Sequence, residues 1–237
     1  MTDQEQLKEF ASSFNIPLTS NEINLLLKHL DLVIEKNEVI NLTRISSKKD
    51  GLILHLLDSI ILYRYFPSKE GKYLDMGTGA GFPGIDLAIL SKRPSVFIDS
   101  VSKKINCVNS FISSLNLHNA IGVSSRLEDY AKLHKNEFVC ITARALSSLP
   151  VLIEYATPFL ITDGIFIVTK GNPLQEEITA GLKTAQICGL SLIKNDSIDL
   201  PLNYGHREIF VFKKLKPPSI KLPRKVGKAS HDPIVSF

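Results

Sequence analysis

Cysteine is scarce in this 237-residue chain, and its distribution argues against two kinds of stabilising centre. Cys107, Cys140 and Cys188 are odd in number, widely separated and never in C-x-x-C spacing. A disulfide framework needs paired cysteines, and zinc sites commonly use closely spaced ones. We therefore expect neither disulfides nor a metal site, and the pattern is typical of a reducing, intracellular compartment.

Long apolar runs are also absent. No stretch approaches the roughly 18 consecutive apolar residues that a membrane span needs. The opening stretch MTDQEQLKEF is polar and acidic and has no apolar signal region. Hydrophobic residues make up 44% of the chain and charged residues 22%, which is an ordinary globular balance. We therefore expect a soluble, cytoplasmic, monomeric protein.

Acidic residues are missing from one segment near the C-terminus, although the net charge of the chain is only +4. Between residues 209 and 231 there are seven basic residues and no acid, namely Lys213, Lys214, Lys216, Lys221, Arg224, Lys225 and Lys228. Such a cluster suggests that a tail binds a polyanionic partner. A solvated, poorly ordered C-terminus is the structural alternative.

The chain divides into parts of different character. A capping box from Thr19 to Glu22 precedes apolar residues at three-and-four spacing, and a second helix is expected over residues 49–65. From Tyr73 onward, short apolar runs alternate with helical stretches. We therefore predict three parts: an N-terminal helical cap (1–70), an α/β domain (71–216) and an irregular basic extension (217–237).

Seven strands are predicted in the α/β part, at residues 73–77, 95–99, 120–125, 138–143, 164–170, 191–199 and 207–215. Helices are expected near residues 83–92, 102–116, 147–158 and 173–188. This alternation predicts a doubly wound, mainly parallel, Rossmann-like sheet with right-handed crossovers. Because the last strand follows another strand, we expect it to be antiparallel.

The stretch YLDMGTGAGFPG at residues 73–84 contains two overlapping nucleotide-binding patterns. Gly79 to Gly84 fits the G-x-G-x-x-G pattern of dinucleotide enzymes. Asp75, Gly77, Gly79 and Gly81 fit D-x-G-x-G-x-G, the usual form of an S-adenosylmethionine loop. The stretch follows the first predicted strand and precedes the first helix of the sheet, where open α/β sheets bind ligands.

Three features favour S-adenosylmethionine. Asp75 lies inside the strand, where a dinucleotide enzyme is normally apolar but a cationic amino-acid moiety gains from a carboxylate. The dinucleotide pattern would extend the strand through Gly77 and Thr78, which are poor strand residues. S-adenosylmethionine also has no pyrophosphate that requires a free helix N-terminus. Asp99, at the end of the second strand, suits the ribose of either cofactor.

Fragments along nearly the whole chain carry a family resemblance. They are NLT (41–43), HLLDS (55–59), LDMGTGAGFPG (74–84), FIDSVSKK (97–104), SRLEDY (125–130), ARALSSL (143–149), KG (170–171), GHREIFVF (205–212) and LPRKVGK (222–228). Together they resemble the RsmG (GidB) family of bacterial small-subunit ribosomal RNA guanine-N7 methyltransferases. The resemblance implies a class I S-adenosylmethionine-dependent methyltransferase that acts on 16S ribosomal RNA, either as RNA or within the small ribosomal subunit.

The same resemblance assigns residues to the cofactor. It implies cofactor contacts at Gly77 and Phe82 in the loop, at Leu127 and Glu128 after the third strand, and at Arg144 after the fourth. For Glu128 the alternative is an exposed carboxylate favoured by a helix dipole. The family usually has serine where Ala143 stands and an apolar residue or proline where Asp86 stands, which puts fine positioning near Arg144 in doubt.

RNA contacts are expected at the opening of the same site and in the tail. Arg126 and Arg207 would bind RNA phosphate or the target base, although Arg207 also suits an ordinary strand-start cation. The tail residues expected to contact phosphate, without a part in cofactor binding, are Lys221, Arg224 and Lys225. His55 and Asp58 lie one helical turn apart, and we expect them to link the cap to the sheet.

The chemistry of guanine N7 fits what the sequence lacks. N7 has a lone pair and no proton to lose, so its methylation needs alignment rather than a general base. The sequence has no D/N-P-P-Y signature for methylation of amino groups. Arg144 is the residue that we expect to orient the base. A nicotinamide-dependent oxidoreductase, a non-catalytic RNA-binding protein on the same scaffold and a methyltransferase for small molecules or proteins are the alternatives.

Overall fold

The computed structural model describes residues 2–237. Its N-terminal region is helical, as predicted, with α1 (Asp3–Ser13), α2 (Ser20–Asn37), α3 (Lys48–Gly51) and α4 (Asp58–Ile60). A π-helical segment, Leu52–Leu57, joins α3 to α4, and a 3₁₀ segment, Ile61–Tyr65, follows α4. The helix predicted over residues 49–65 is therefore present as one continuous helical run with a π segment in its middle. Such segments are frequent at functional sites.

Side-chain caps explain where the first two helices begin. Thr19 accepts a hydrogen bond from the Glu22 amide, and the Glu22 carboxylate accepts one from the Thr19 amide. The predicted capping box is therefore confirmed, and Thr2 and Glu5 form a second one at α1. Each box satisfies amides that a helix N-terminus leaves without partners.

A single seven-stranded sheet forms the centre of the molecule. Its strands are β1 (Lys72–Met76), β2 (Ser95–Asp99), β3 (Ala120–Ser124), β4 (Phe138–Arg144), β5 (Leu160–Lys170), β6 (Leu190–Asp199) and β7 (His206–Lys214). The spatial order is β3-β2-β1-β4-β5-β7-β6, and β7 runs antiparallel to both of its neighbours. The predicted seven strands, the mainly parallel sheet and the antiparallel last strand are all confirmed.

The remaining helices are α5 (Gly84–Ser91), α6 (Ser102–Ser114), α7 (Leu127–Leu133), α8 (Leu149–Ala156), α9 (Gln175–Cys188) and α10 (Lys228–His231). Four of them match the predicted helices. The sequence prediction missed α7, because seven residues are too few to show a clear helical period. It also missed α10, which forms a single turn inside the segment expected to be irregular.

Two apolar clusters pack on the sheet. One joins cap residues such as Leu26, Leu30 and Leu56 with Tyr73 of β1 and Phe97 of β2. The other includes Leu74, helix α8 and Leu222 of the C-terminal segment. The cap therefore shares a core with the sheet. Among residues 2–237, no helix combines the length and apolar character of a membrane span.

Candidate functional site

The glycine loop begins where β1 ends at Met76. Gly77, Gly79 and Gly81 have φ values of +70°, +58° and +98°, a left-handed backbone that side chains disfavour. Gly84 is different: it is the first residue of α5, and a Cβ there would lie 2.8 Å from both Asp75 Oδ2 and Phe97 Cδ1. The turn glycines are thus those of D-x-G-x-G-x-G, whereas Gly84 allows close helix packing.

A cavity of about 200 Å³ opens beside this loop, and we call it the cofactor cavity. Its lining residues include Gly77, Asp99, Ser125, Arg126, Leu127, Glu128, Leu146, Ser147, Tyr155 and Ser230. Asp99 Oδ2 accepts a hydrogen bond from the Gly79 amide at 3.1 Å, and Oδ1 accepts one from the Val101 amide at 2.9 Å. Asp99 is therefore held at the carboxyl end of β2 and faces the cavity, as the sequence predicts.

Asp75 lies in β1, as predicted, but its side chain points away from the expected cofactor contact. Its carboxylate is fully buried, Oδ2 accepts from the Gly84 amide at 3.1 Å, and Oδ1 accepts from Thr142 Oγ1 at 2.7 Å. Burial raises the pKa of Asp75 to about 6. Because both oxygens face the interior, the geometry does not support the expected direct contact with a cofactor amino group. Asp75 instead fixes the loop to α5 and to β4.

Glu128 lies at the start of α7 and is buried, rather than exposed as its structural alternative required. Its Oε1 accepts a hydrogen bond from the backbone amide of Gly227, in the C-terminal segment, at 2.8 Å. Ser230 of the same segment lines the cavity, and its hydroxyl is 3.0 Å from Tyr155 Oη. The C-terminal segment thus reaches the cofactor cavity, which the sequence did not predict.

A second cavity, which we call the arginine groove, lies on the cap side. It measures about 380 Å³ and is lined by Ile45, Leu54, His55, Asp58, Arg144, Ala145, Thr169, Lys170, Gly171 and Arg207. Asp58 Oδ2 is 3.0 Å from Arg144 Nη1, and its Oδ1 is 2.9 Å from Arg207 Nε. One carboxylate from the cap therefore holds two arginines from the sheet, and the predicted link between cap and sheet is present.

His55 contacts this arrangement without carrying charge. Its ring stacks on Phe82 at 4.2 Å between centroids, and its Nδ1 is 3.5 Å from Arg144 Nη2. Burial and the nearby Arg144 charge lower the pKa of His55 to about 3. The Phe82 side chain also lies 4.4 Å from the His29 ring. Phe82 thus packs between two cap histidines, and its side chain is absent from the lining of the cofactor cavity.

The segment after β4 separates the two cavities. Arg144 and Ala145 line the arginine groove, whereas Leu146 and Ser147 line the cofactor cavity. Ala145 has a left-handed φ of +52°, and Leu146 lies so close to Gly77 that a Cβ on that glycine would be 2.6 Å from it. Arg144 consequently faces the groove, so the implied role in cofactor binding has no support in this geometry.

Lys170 is a site residue to which sequence reasoning gave no role. It ends β5, its Nζ donates to the Ser147 carbonyl at 2.9 Å, and it pairs with Glu177 at 2.8 Å. It therefore braces the segment between the cavities and also lines the arginine groove. The signal that could have found it is its place at the carboxyl end of the strand next to β4.

The basic tail residues have different surroundings. Arg224 is partly buried, and it donates from Nε and Nη2 to the two oxygens of Glu154 at 2.7 and 2.5 Å. The structure does not support the predicted contact of Arg224 with RNA phosphate, because Glu154 already neutralises its guanidinium. Lys221 and Lys225 are exposed and form no ion pair within residues 2–237. Throughout that range, no cluster of three metal-ligating side chains occurs.

Known structures share this architecture. An O-methyltransferase from Bacillus cereus in complex with SAH is 18% identical, with a TM-score of 0.59 over 88% of this chain and 97% of that one. A SAM-dependent methyltransferase from Aquifex aeolicus is 18% identical, with a TM-score of 0.52 over 67% and 90%. The fold is that of the class I S-adenosylmethionine-dependent methyltransferases, which confirms the predicted fold class.

Sequence comparison identifies the family. Residues 22–200 match the family described as GidB, rRNA small subunit methyltransferase G. A "Ribosomal RNA small subunit methyltransferase G" from Alkaliphilus oremlandii is 37% identical over 96% of this chain and 97% of its own length. One from Lactobacillus helveticus is 35% identical over 94% and 95%. The chain belongs to the family of rRNA small subunit methyltransferase G, as its motifs predicted.

Proposed function

We propose that this protein transfers a methyl group from S-adenosylmethionine to N7 of a guanine in 16S ribosomal RNA. One observation carries the proposal beyond family membership. The cofactor cavity and the cationic arginine groove lie on the two sides of the segment 144–147, and the described groove residues include no free general base. A lone pair of a nucleic-acid base can be methylated in such a site without loss of a proton.

The cofactor cavity suits S-adenosylmethionine. Gly77 lets Leu146 pack closely against the glycine loop at the cavity edge. Asp99 lies in the position expected for a ribose contact, and Leu127 and Glu128 bound the side where an adenine would lie. The bound cofactor supplies an electrophilic methyl group. Asp75 would not contact the cofactor itself. It accepts a hydrogen bond from the Gly84 amide and so fixes the end of the glycine loop.

Neither His55 nor Asp58 is available as a base. His55 stays neutral across the physiological range, but its depressed pKa means that it is a very weak proton acceptor. Asp58 has each of its oxygens within 3.0 Å of an arginine nitrogen. This arrangement suits N7 of guanine, whose methylation releases no proton.

Arg144 is the residue proposed to orient the base. A guanidinium that donates to both O6 and N7 would block the reacting lone pair. We therefore assign Arg144 to O6 or to a phosphate, with N7 left free to approach the methyl carbon to about 3–3.5 Å. Asp58 fixes the direction of Arg144 and Arg207, and it offsets their charge as the purine becomes cationic.

Arg126 and Arg207 complete the proposed RNA contacts around the opening. Arg126 is exposed at the rim of the cofactor cavity, and Arg207 lies across the groove from Arg144. The partner would be 16S ribosomal RNA or the small ribosomal subunit, met in the cytoplasm by a monomer. The three-part division at residues 70 and 216 also remains a proposal.

The test is nucleoside analysis of RNA treated with the purified protein. We would incubate small ribosomal subunits, and separately the extracted RNA, with S-adenosylmethionine and quantify 7-methylguanosine by mass spectrometry. The expected result is 7-methylguanosine in 16S RNA, at one position. Methylation of another atom, or none on either substrate by a protein that binds the cofactor, would refute the proposal. Binding of NAD(H) in place of S-adenosylmethionine would favour the oxidoreductase alternative.

A further inference from the structure

We propose that residues 222–232 of the C-terminal segment form one wall of the S-adenosylmethionine site. We expected this segment to bind RNA without a part in cofactor binding. The structure instead shows it folded against the cavity, with Ser230 among the lining residues. The inference rests on the proposed function only through its cofactor.

Buried residues and one ion pair anchor this segment to the rest of the fold. Leu222 and Ala229 are buried, with exposed fractions of 7% and 0%. Between them, Arg224 makes its two hydrogen bonds to Glu154 of α8, which is itself 4% exposed. A buried carboxylate needs such a partner, because an unpaired charge in that position is costly. These contacts hold residues 222–229 to the fold rather than leaving them as a free tail.

Gly227 connects the segment to the cofactor residues themselves. It has a left-handed φ of +80°, which turns its amide toward Glu128 and brings the hydrogen-bond length to 2.8 Å. Glu128 is one of the residues that the family resemblance assigns to the cofactor, and its Oε1 is held by this bond from the C-terminal segment. An ordinary side chain in place of Gly227 would be strained in this conformation.

Ser230 closes the outer side of the cavity. Its hydroxyl lies 3.0 Å from Tyr155 Oη, and both residues line the cavity. A small residue at this position leaves the space for a ligand, whereas a large one would fill it. The segment thus contributes the Gly227 amide that positions Glu128, and Ser230, which forms part of the cavity lining.

The experiment measures the affinity for S-adenosylmethionine, by calorimetry and without RNA, in two full-length variants and in one shortened chain. Ser230→Phe fills the cavity, and we expect the dissociation constant to rise at least about tenfold. Ser219→Phe is the matched control in the same segment, because Ser219 lies at Ile187 and away from the cavity, and we expect no change. A chain ending at Lys216 lacks the wall and should also bind at least about tenfold more weakly.

Each outcome decides the proposal. Equal affinity in Ser230→Phe and the unaltered protein would overturn it, as would equal weakening by both phenylalanine variants. Tighter binding by the shortened chain would show that the segment obstructs the site, which also overturns it. If the shortened chain does not unfold cooperatively on heating, the two full-length variants decide. Failure of the unaltered protein to bind the cofactor would contradict the proposed function itself.

Discussion

The N-terminal cap and the C-terminal segment pack against different sides of the cofactor site, and they do so by different means. The cap uses buried contacts: His29 Nδ1 is 2.7 Å from Asp86 Oδ1, and both side chains are fully buried. Several cap leucines share an apolar cluster with the first strands. The C-terminal segment relies on two buried apolar residues, Leu222 and Ala229, and on hydrogen bonds from Arg224 and Gly227 to the buried carboxylates of Glu154 and Glu128.

The difference indicates different duties. The cap shares a core with the sheet, and its buried ionisable groups are paired there: His29 contacts Asp86, and Asp58 contacts two arginines. The C-terminal segment contributes Leu222 to the second apolar cluster, but it keeps exposed cations such as Lys221 and Lys225. Rigid positioning on one side and an accessible charged surface on the other are what a methyltransferase for a large polyanion needs.

The largest expected effect is on the free energy of unfolding, when the buried pair between the cap residue His29 and Asp86 is broken. Asp86→Ala leaves His29 buried without its carboxylate, and loss of one partner of a buried pair costs about 3–5 kcal/mol. We expect urea unfolding to show a loss of this size. Lys132→Ala is the control, since Lys132 pairs with Asp129 on the surface and such pairs contribute at most about 1 kcal/mol. Equal losses in both variants would contradict a core role for the cap.

The next effect concerns the reaction. Arg144→Ala removes the group proposed to orient the base, and we expect methyl transfer to RNA to fall about 100-fold or more. Because Arg144 faces the groove, the affinity for S-adenosylmethionine should change little. Arg64→Ala, which removes an exposed arginine of the cap, should leave transfer unchanged. Full transfer by Arg144→Ala would refute the assignment.

Local sequence signals predicted most of the fold. Every strand except β6 has a clear apolar run, and the capping box at Thr19 marks the start of α2. The orientation of the site residues depends on tertiary contacts that no local pattern encodes. Asp75 points into the core, and Arg144 faces Asp58, 86 residues away in the chain. The contact between Gly227 and Glu128 spans 99 residues, so the sequence alone did not reveal it.

The motif resemblance located the site but not the state of each group in it. Asp86 was recognised only as a departure from the family, yet it forms a buried pair with His29. Arg224 was included with the RNA-binding cations because its charge is visible in the sequence, whereas its partner Glu154 is not. Burial and pairing decide what a charge does, and both are properties of the folded chain.

A third prediction concerns Asp75, the buried carboxylate that joins β1 to α5 and β4. Burial raises the pKa of Asp75 to about 6, above the value of about 3.9 of an unfolded chain. The folded state thus binds the proton more tightly, so this contribution to stability is fully present below pH 4 and is lost as pH rises through 6. Asp75→Asn removes the dependence.

The stability difference between Asp75→Asn and the unaltered protein should therefore shift in favour of the variant between pH 4 and pH 7. The size is on the order of 3 kcal/mol, from about 1.4 kcal/mol per pKa unit. Urea unfolding at both pH values measures it, with exposed Asp129→Asn as the control. A difference that does not vary with pH would show that Asp75 is not the buried, proton-retaining group described above.

The smallest expected effect concerns RNA binding by the exposed lysines of the C-terminal segment. Lys221→Ala combined with Lys225→Ala removes two exposed cations, and each phosphate contact adds about 0.7–0.9 to the slope of log affinity against log salt concentration. We expect the slope for RNA binding to fall by about 1.5. The control is Lys213→Ala combined with Lys228→Ala, because Asp163 and Asp232 already neutralise these two lysines of the same basic segment. If both pairs change the slope equally, RNA binding depends on the total charge of the segment. The proposal that its unpaired, exposed lysines bind the phosphates would then be wrong.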